Sequence, residues 1–96
     1  MEYKTYKVEG SLIFMDPIFR QHIKELIKSE EKYVELDMNE VENIDSMGID
    51  MIIKLIITLK DRGGVLKITG VKSHIYDIMR ICNLHLHDMV EIEHQK

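Results

Sequence analysis

The stretch of sequence that decides the fold is residues 33–61, YVELDMNEVENIDSMGIDMIIKLIITLKD. Residues 33–38 alternate between apolar and acidic side chains, which is the two-residue period of a strand. Residues 46–61 repeat apolar side chains at the three- and four-residue spacing of a helix that is packed over much of its circumference. The stretch therefore predicts a strand, a loop over residues 38–46 and a largely buried helix.

The sequence before this stretch predicts one more strand and one more helix. Residues 3–14 alternate as an extended strand does, with a bend or bulge at Gly10. Asp16 is a favourable N-cap, and Pro17 fits the first helical position, where its missing N–H costs nothing. The buried side of the helix that they start is predicted to consist of Phe19, Ile23, Leu26 and Ile27.

The sequence after it predicts a strand, a helix and a short final strand. Gly63 is well placed to end the buried helix in the left-handed conformation, and residues 65–68 form the next strand. A third helix is predicted over residues 72–82, and residues 90–92 suggest the last strand. The inward side chains of the third helix are predicted to be Ile75, Ile78, Met79 and Cys82.

The resulting order, β-α-β-α-β-α-β, predicts a single α/β domain over residues 1–96. We expect a small, mostly parallel or mixed sheet of four to five strands, packed with helices and joined by right-handed crossovers. In sheets of this kind, function tends to reside in the loops that follow the carboxyl ends of strands. The predicted loop over residues 38–46 is such a place.

The composition argues against several kinds of function. The chain has 13 Lys and Arg against 17 Asp and Glu, and no cationic stripe, whereas nucleic-acid binding needs clustered cations. The single cysteine, Cys82, permits no internal disulfide, which fits a reducing compartment. No apolar signal core or membrane-spanning run is present. We therefore expect a cytoplasmic protein that neither inserts into membranes nor binds nucleic acid directly.

Catalytic and metal-binding patterns are incomplete. His85 and His87 are two residues apart, as metal ligands sometimes are, but no Cys or second His pair completes a site, so exposed loop histidines are expected. Ser46 lacks the Gly-x-Ser-x-Gly elbow of a hydrolase, and a domain of 96 residues has little room for a substrate cleft. The chain is therefore predicted to be neither an enzyme nor a metal or cofactor binder.

The most informative residues stand at the predicted start of the buried helix. Ser46 lies where helical N–H groups lack partners, and the helix dipole would stabilise an anion there by ~0.5–1 kcal/mol. A phosphate on Ser46 would add a charge of about −1.5 to −2. Gly48 would leave room for another molecule to approach. Since Asp45 and Ser46 also form an ordinary capping pair, local chemistry leaves capping and modification both open.

Two methionines predict a contact surface next to Ser46. Met47 and Met51 are four residues apart, so they share one helix face with Ser46 and Asp50. Exposed methionines make adaptable binding surfaces. We predict that this face, together with Asp45 and Gly48, is the partner-binding patch, with core packing of Met51 as the equally open alternative.

Several segments, in matching order and spacing, resemble the STAS domain family of sulfate transporters and anti-sigma factor antagonists. Residues 43–49, NIDSMGI, resemble the family signature Asp-Ser-Ser/Thr-Gly-Leu. The other matching segments are residues 8–12 with their Gly-x-Leu end, residues 34–38 before the signature, residues 60–66 with paired glycines, and residues 78–84 with an Asn-Leu exit.

The resemblance implies a partner-switching anti-sigma factor antagonist. Ser46 aligns with the serine that, in such proteins, is phosphorylated by a partner that is both anti-sigma factor and serine kinase. The unmodified protein would bind that partner and free the sigma factor, and a metal-dependent serine phosphatase would remove the phosphate. ATP and magnesium would belong to the kinase. Other STAS domains are unswitched accessory subunits of lipid-transport ABC complexes, which is the alternative function.

The sequence departs from the family pattern at three positions. Met47 replaces the second hydroxyl residue of the signature, so one phosphate acceptor remains. Asp50 stands where a small residue is usual and would add negative charge one helical turn from Ser46. Ile13 stands where many members carry an acidic residue. An additional N-terminal strand of many members is expected to be absent or very short.

Overall fold

The computed structural model of the chain describes the backbone of residues 2–12 and 17–95, and the side chains of residues 2–8 and 17–95. Strands and helices alternate along the described residues, which confirms the predicted β-α-β-α-β-α-β order. The elements are β1 (Lys4–Leu12), α1 (Pro17–Lys28), β2 (Tyr33–Ile44), α2 (Ser46–Asp61), β3 (Val65–Val71), α3 (Ser73–Ile81), a short 3₁₀ helix (Leu84–Leu86) and β4 (Val90–His94).

The four strands form one parallel sheet in the order β1-β2-β3-β4. Because consecutive strands are neighbours, right-handed crossovers place every connecting helix on the same face of the sheet. Val34, Leu36 and Met38 of β2 are buried on that face. The opposite face carries polar groups, among them Thr69, whose hydroxyl donates a hydrogen bond of 2.9 Å to the Glu35 carboxylate. The predicted α/β class is therefore confirmed.

The core lies between the sheet and the apolar sides of the three helices. In α1 the predicted residues Phe19, Ile23 and Leu26 are buried, and Ile27 is half-buried. Burial of each large aliphatic side chain contributes about 1.5–3 kcal/mol, so these residues fix α1 firmly against the sheet. In α2 the buried large side chains are Ile49, Ile52, Leu55, Ile56 and Leu59.

The predicted loop over residues 38–46 is wrong, because β2 continues to Ile44 and only Asp45 separates it from α2. The second half of β2 pairs with β1, with Gly10 opposite Val41, after its pairing with β3 has ended at Asp37. Two register shifts interrupt the β1–β2 pairing, one of them next to Gly10, where an irregularity was predicted. These shifts break the two-residue period, which is why the pattern did not indicate a strand.

The end of α3 also differs from the prediction. Cys82 is exposed, not buried, because α3 ends at Ile81. The next residue, Asn83, has a φ of 63° in the left-handed region, so the chain turns away before Cys82 can face the core. Gly63, in contrast, has the predicted left-handed φ of 71° after α2. The predicted roles of Ile13, Phe14 and the Asp16 N-cap lie outside the described residues.

Candidate functional site

The carboxyl-terminal half of β2, residues 39–44, leads into the candidate site at the start of α2 and continues past the last residue of β2 that pairs with β3. Where β3 no longer pairs with this strand, side chains donate hydrogen bonds to its carbonyl groups instead. The Lys72 ammonium donates to the carbonyl oxygens of Asn39 at 2.8 Å and Val41 at 3.1 Å, and it lies 3.3 Å from the Glu42 carboxylate. One cation thus replaces the missing neighbouring strand.

Two further side chains complete this attachment. Nε2 of His74 donates to the carbonyl oxygen of Glu42 at 2.8 Å, and the Gln95 side chain donates to the Asn39 carbonyl at 3.0 Å. Gly70 has a φ of 68°, and a Cβ there would lie 2.3 Å from Cγ of Asn39, so no larger residue fits without displacing that side chain. The segment that leads into α2 is therefore held on both sides.

Asp45 is the N-cap of α2. Its backbone is extended, with φ −112° and ψ 179°, and its side-chain oxygen Oδ1 accepts a hydrogen bond of 2.8 Å from the Gly48 N–H. Its carbonyl oxygen accepts the first helical bond, from the Ile49 N–H at 3.0 Å. The capping function that the sequence left open between Asp45 and Ser46 therefore belongs to Asp45.

Ser46 is the first residue of the 16-residue helix α2, and it is exposed. Its hydroxyl makes no hydrogen bond with the described residues. The oxygen is thus accessible to a modifying enzyme and lies at the positive end of the helix dipole. Asp45 and Asp50 are also exposed, one residue before and one helical turn after Ser46. A phosphate on Ser46 would therefore have carboxylates as near neighbours.

The remaining predicted site residues differ in their exposure. Met47 is 41% exposed, whereas Met51 is half-buried and packs against the core. Both methionines nevertheless line a groove of about 180 Å³ between α1 and α2. Gly48 is buried, with its N–H bound to Asp45. Met51 thus contributes to the core and to a surface groove at once, and the role of these residues in partner binding remains a prediction.

Neither the attachment of β2 nor the α1 side of the groove was predicted from the sequence. Lys72 and His74 follow β3 directly, but they lie some 30 residues from the carbonyl groups that they bind. No local pattern reports such contacts. The α1 residues of the groove could have been found, because Arg20 and Lys24 flank the predicted buried side of α1 at a spacing of one turn.

Nowhere in residues 2–12 and 17–95 do three or more His, Cys, Asp or Glu side chains gather in a way that could hold a metal ion. Within the same described ranges, no helix has the length and apolar character needed to cross a bilayer.

A parallel four-stranded sheet, covered by helices on one face and with an aspartate-capped helix that starts at an exposed serine, defines the class of small α/β domains to which STAS domains belong. The family model of the STAS domain matches residues 4–94. The chain therefore belongs to the STAS domain family. This family is regulatory and generally non-enzymatic.

Two solved structures share the fold. The sulfate transporter family protein from Wolinella succinogenes superposes with a TM-score of 0.77 and 23% sequence identity, covering 96% of this chain and 77% of that one. A proposed anti-sigma factor antagonist from Thermotoga maritima gives a TM-score of 0.78 and 17% identity, with coverages of 96% and 84%. Identities this low show the fold alone. Comparison of the sequence with curated proteins gave no match.

Proposed function

We propose that this protein is an anti-sigma factor antagonist that changes partners when Ser46 is phosphorylated. The observation that carries the proposal is the exposed Ser46 hydroxyl, which makes no hydrogen bond with the described residues. Asp45 supplies the cap of α2, so the exposed serine beside it has no structural task among the described residues. Its partners would be an anti-sigma factor with serine kinase activity and a metal-dependent serine phosphatase, in the cytoplasm.

The position of Ser46 supports a switch that acts on binding and leaves the fold intact. A phosphate there breaks no internal hydrogen bond of the described residues, and the N-terminus of α2 stabilises it modestly in the free protein. In a complex, the same phosphate would be desolvated beside the carboxylates of Asp45 and Asp50. Repulsion and lost hydration would then release the partner.

The phosphorylation step is tested by incubating the protein with its cognate kinase and ATP and measuring its mass. We expect one added phosphate, located on Ser46 by fragmentation, and none on the Ser46→Ala variant. The matched control is Ser73→Ala, because Ser73 is also an exposed first residue of a helix. This control should be phosphorylated like the wild type.

Two results would contradict the proposal. One is a phosphate that persists in Ser46→Ala, which would place the acceptor elsewhere. The other is a protein that takes no phosphate but forms a stable complex with a transport ATPase. That second result would support the alternative function, an accessory subunit of a lipid-transport ABC complex without a switch.

A further inference from the structure

The groove between α1 and α2 has walls of matching length. Arg20, Ile23, Lys24 and Ile27 line it from α1, and Met47, Asp50, Met51 and Lys54 line it from α2. Seven residue steps separate the outermost lining residues on each helix, which corresponds to about 10 Å, or two helical turns. The groove therefore matches a segment of about two turns of a partner helix.

The interior of the groove is mostly apolar. Its apolar lining residues are Ile23, Ile27, Met47 and Met51, and Met47 is 41% exposed at the end next to Ser46. Unbranched methionine side chains adapt their shape to different apolar groups. The exposed apolar surface at this end is thus suited to contact a partner that also covers Ser46.

The volume of the groove limits which side chains of a partner it can hold. Its 180 Å³ is close to the ~150 Å³ of a cavity that holds one benzene molecule. Pockets for small-molecule ligands are larger, about 300–1,000 Å³. The groove can therefore receive one aromatic or branched apolar anchor side chain, as in complexes where an amphipathic helix lies in a groove.

The charge of the groove is opposite to that of the rest of the domain. Its lining residues include three cations, Arg20, Lys24 and Lys54, against one carboxylate, Asp50, a net charge of +2. The whole chain has a net charge of −4, so the residues outside the groove carry −6. Within the described ranges, ion pairs join Lys7 to Glu40 and Lys72 to Glu42, and neither Lys24 nor Lys54 takes part in one.

From these observations we infer that the α1–α2 groove binds an acidic amphipathic helix of the partner, with one large apolar side chain inserted between Ile23 and Met51. The acidic residues of that helix would face Lys24 and Lys54 on opposite walls. The inference deepens the proposed function and rests on it in one respect, since a phosphate at the Met47 end would repel an acidic helix. Docking on the unmodified protein follows from the groove alone.

The test uses two synthetic amphipathic helical peptides with the same Leu and Phe positions. One peptide has Glu at every polar position, and the other has Lys. In a titration of the ¹⁵N-labelled full chain followed by NMR, we expect the acidic peptide to shift the amide signals of residues 20–27 and 47–54. The basic peptide should bind at least about tenfold more weakly, because its charges oppose the groove cations.

Charge-reversal variants separate the groove from the overall charge. Lys24→Glu combined with Lys54→Glu should weaken acidic-peptide binding by at least about tenfold. The control, Lys28→Glu combined with Lys60→Glu, changes the same two helices by the same charge at exposed positions outside the groove lining. It should change the affinity less than about threefold, because exposed charges at a distance are screened.

The following results would overturn the inference: binding of neither peptide, equal binding of both, signal shifts confined to other surfaces, or equal losses in the two double variants. None of these experiments requires a kinase, and Ser46→Ala should bind the acidic peptide as the wild type does. If the groove binds no acidic peptide, the proposal that Ser46 is phosphorylated is therefore unaffected. A failed phosphorylation test likewise leaves peptide docking untouched.

Discussion

The starts of α2 and α3 place an exposed serine at the same helical position, the first residue, in different surroundings. Ser46 follows an aspartate that caps its helix through the side chain. Ser73 follows Lys72, which makes no side-chain cap bond and instead reaches back to the carbonyl groups of β2. The residues before the two serines thus have different roles: Asp45 caps its own helix, whereas Lys72 binds a neighbouring strand.

This difference explains why only one of the two serines is a candidate switch. Ser46 is next to the apolar surface of Met47 and close to two carboxylates, so added negative charge there would be poorly compensated. Ser73 follows a lysine, so added charge there would have a cation as its neighbour along the chain. The accessibility of a hydroxyl is therefore insufficient to identify a regulatory site, and its electrostatic surroundings must be considered as well.

The largest expected effect comes from placing a fixed negative charge at each serine. Ser46→Asp should weaken binding of the anti-sigma factor on the order of a hundredfold, because like charges within an interface cost several kcal/mol. Ser73→Asp should bind as the wild type does. Isothermal titration calorimetry with the purified partner measures both affinities, and circular dichroism verifies that both variants fold.

The comparison would fail if the two aspartate variants bound equally well, or if Ser46→Ala lost as much affinity as Ser46→Asp. Equal binding would show that the partner does not sense charge at Ser46. Equal loss in the alanine variant would show that the partner needs the hydroxyl itself, as a direct hydrogen-bonding group.

The second-largest expected effect comes from removing the contacts of Lys72 with β2. Lys72→Met keeps the aliphatic stem but removes the donors to the Asn39 and Val41 carbonyls. We expect the free energy of unfolding in urea to fall by about 2 kcal/mol, the range for hydrogen bonds from a charged group. The amides of residues 40–44 should also exchange faster with solvent.

The control for this change is Lys60→Met, since Lys60 is exposed and its side chain makes no hydrogen bond or ion pair within the described part of the chain. Its free energy of unfolding should stay within about 0.5 kcal/mol of the wild type. Equal losses in the two variants would mean that the lysine contacts with β2 add nothing to stability.

The sequence predicts those parts of the molecule that depend on local periodicity. The element order and the buried sides of α1 and α2 follow from apolar spacing, because that spacing determines which side chains can leave water together. The exposed position of Ser46 and its place at a helix start were predictable for the same reason. The capping role of Asp45 required the structure, because Asp and Ser are nearly equivalent as N-caps and only the backbone conformation distinguishes them.

Features that depend on distant contacts or on irregular backbone could not be predicted. The extension of β2 to Ile44 depends on pairing with β1 through two register shifts, where the alternation fails at the exposed pair Asn39 and Glu40. Cys82 was assigned to the core by continuing a helical period past the point where Asn83 turns the chain. The groove likewise arises from two helices that are separate in sequence.

The smallest expected effect comes from removing the side-chain cap of α2. Without it, α2 would start as α3 does. Asp45→Ala removes the acceptor of the Gly48 N–H, so the free energy of unfolding should fall by about 1 kcal/mol. Asp45→Asn keeps an equivalent acceptor without the charge and should recover most of that loss in the same urea titration. If Asp45→Asn is as unstable as Asp45→Ala, the charge of Asp45 and not its hydrogen bond stabilises the helix start. In that case Asp45 would act through its charge, and its effect on the helix start could not be separated from the effect of a phosphate on Ser46.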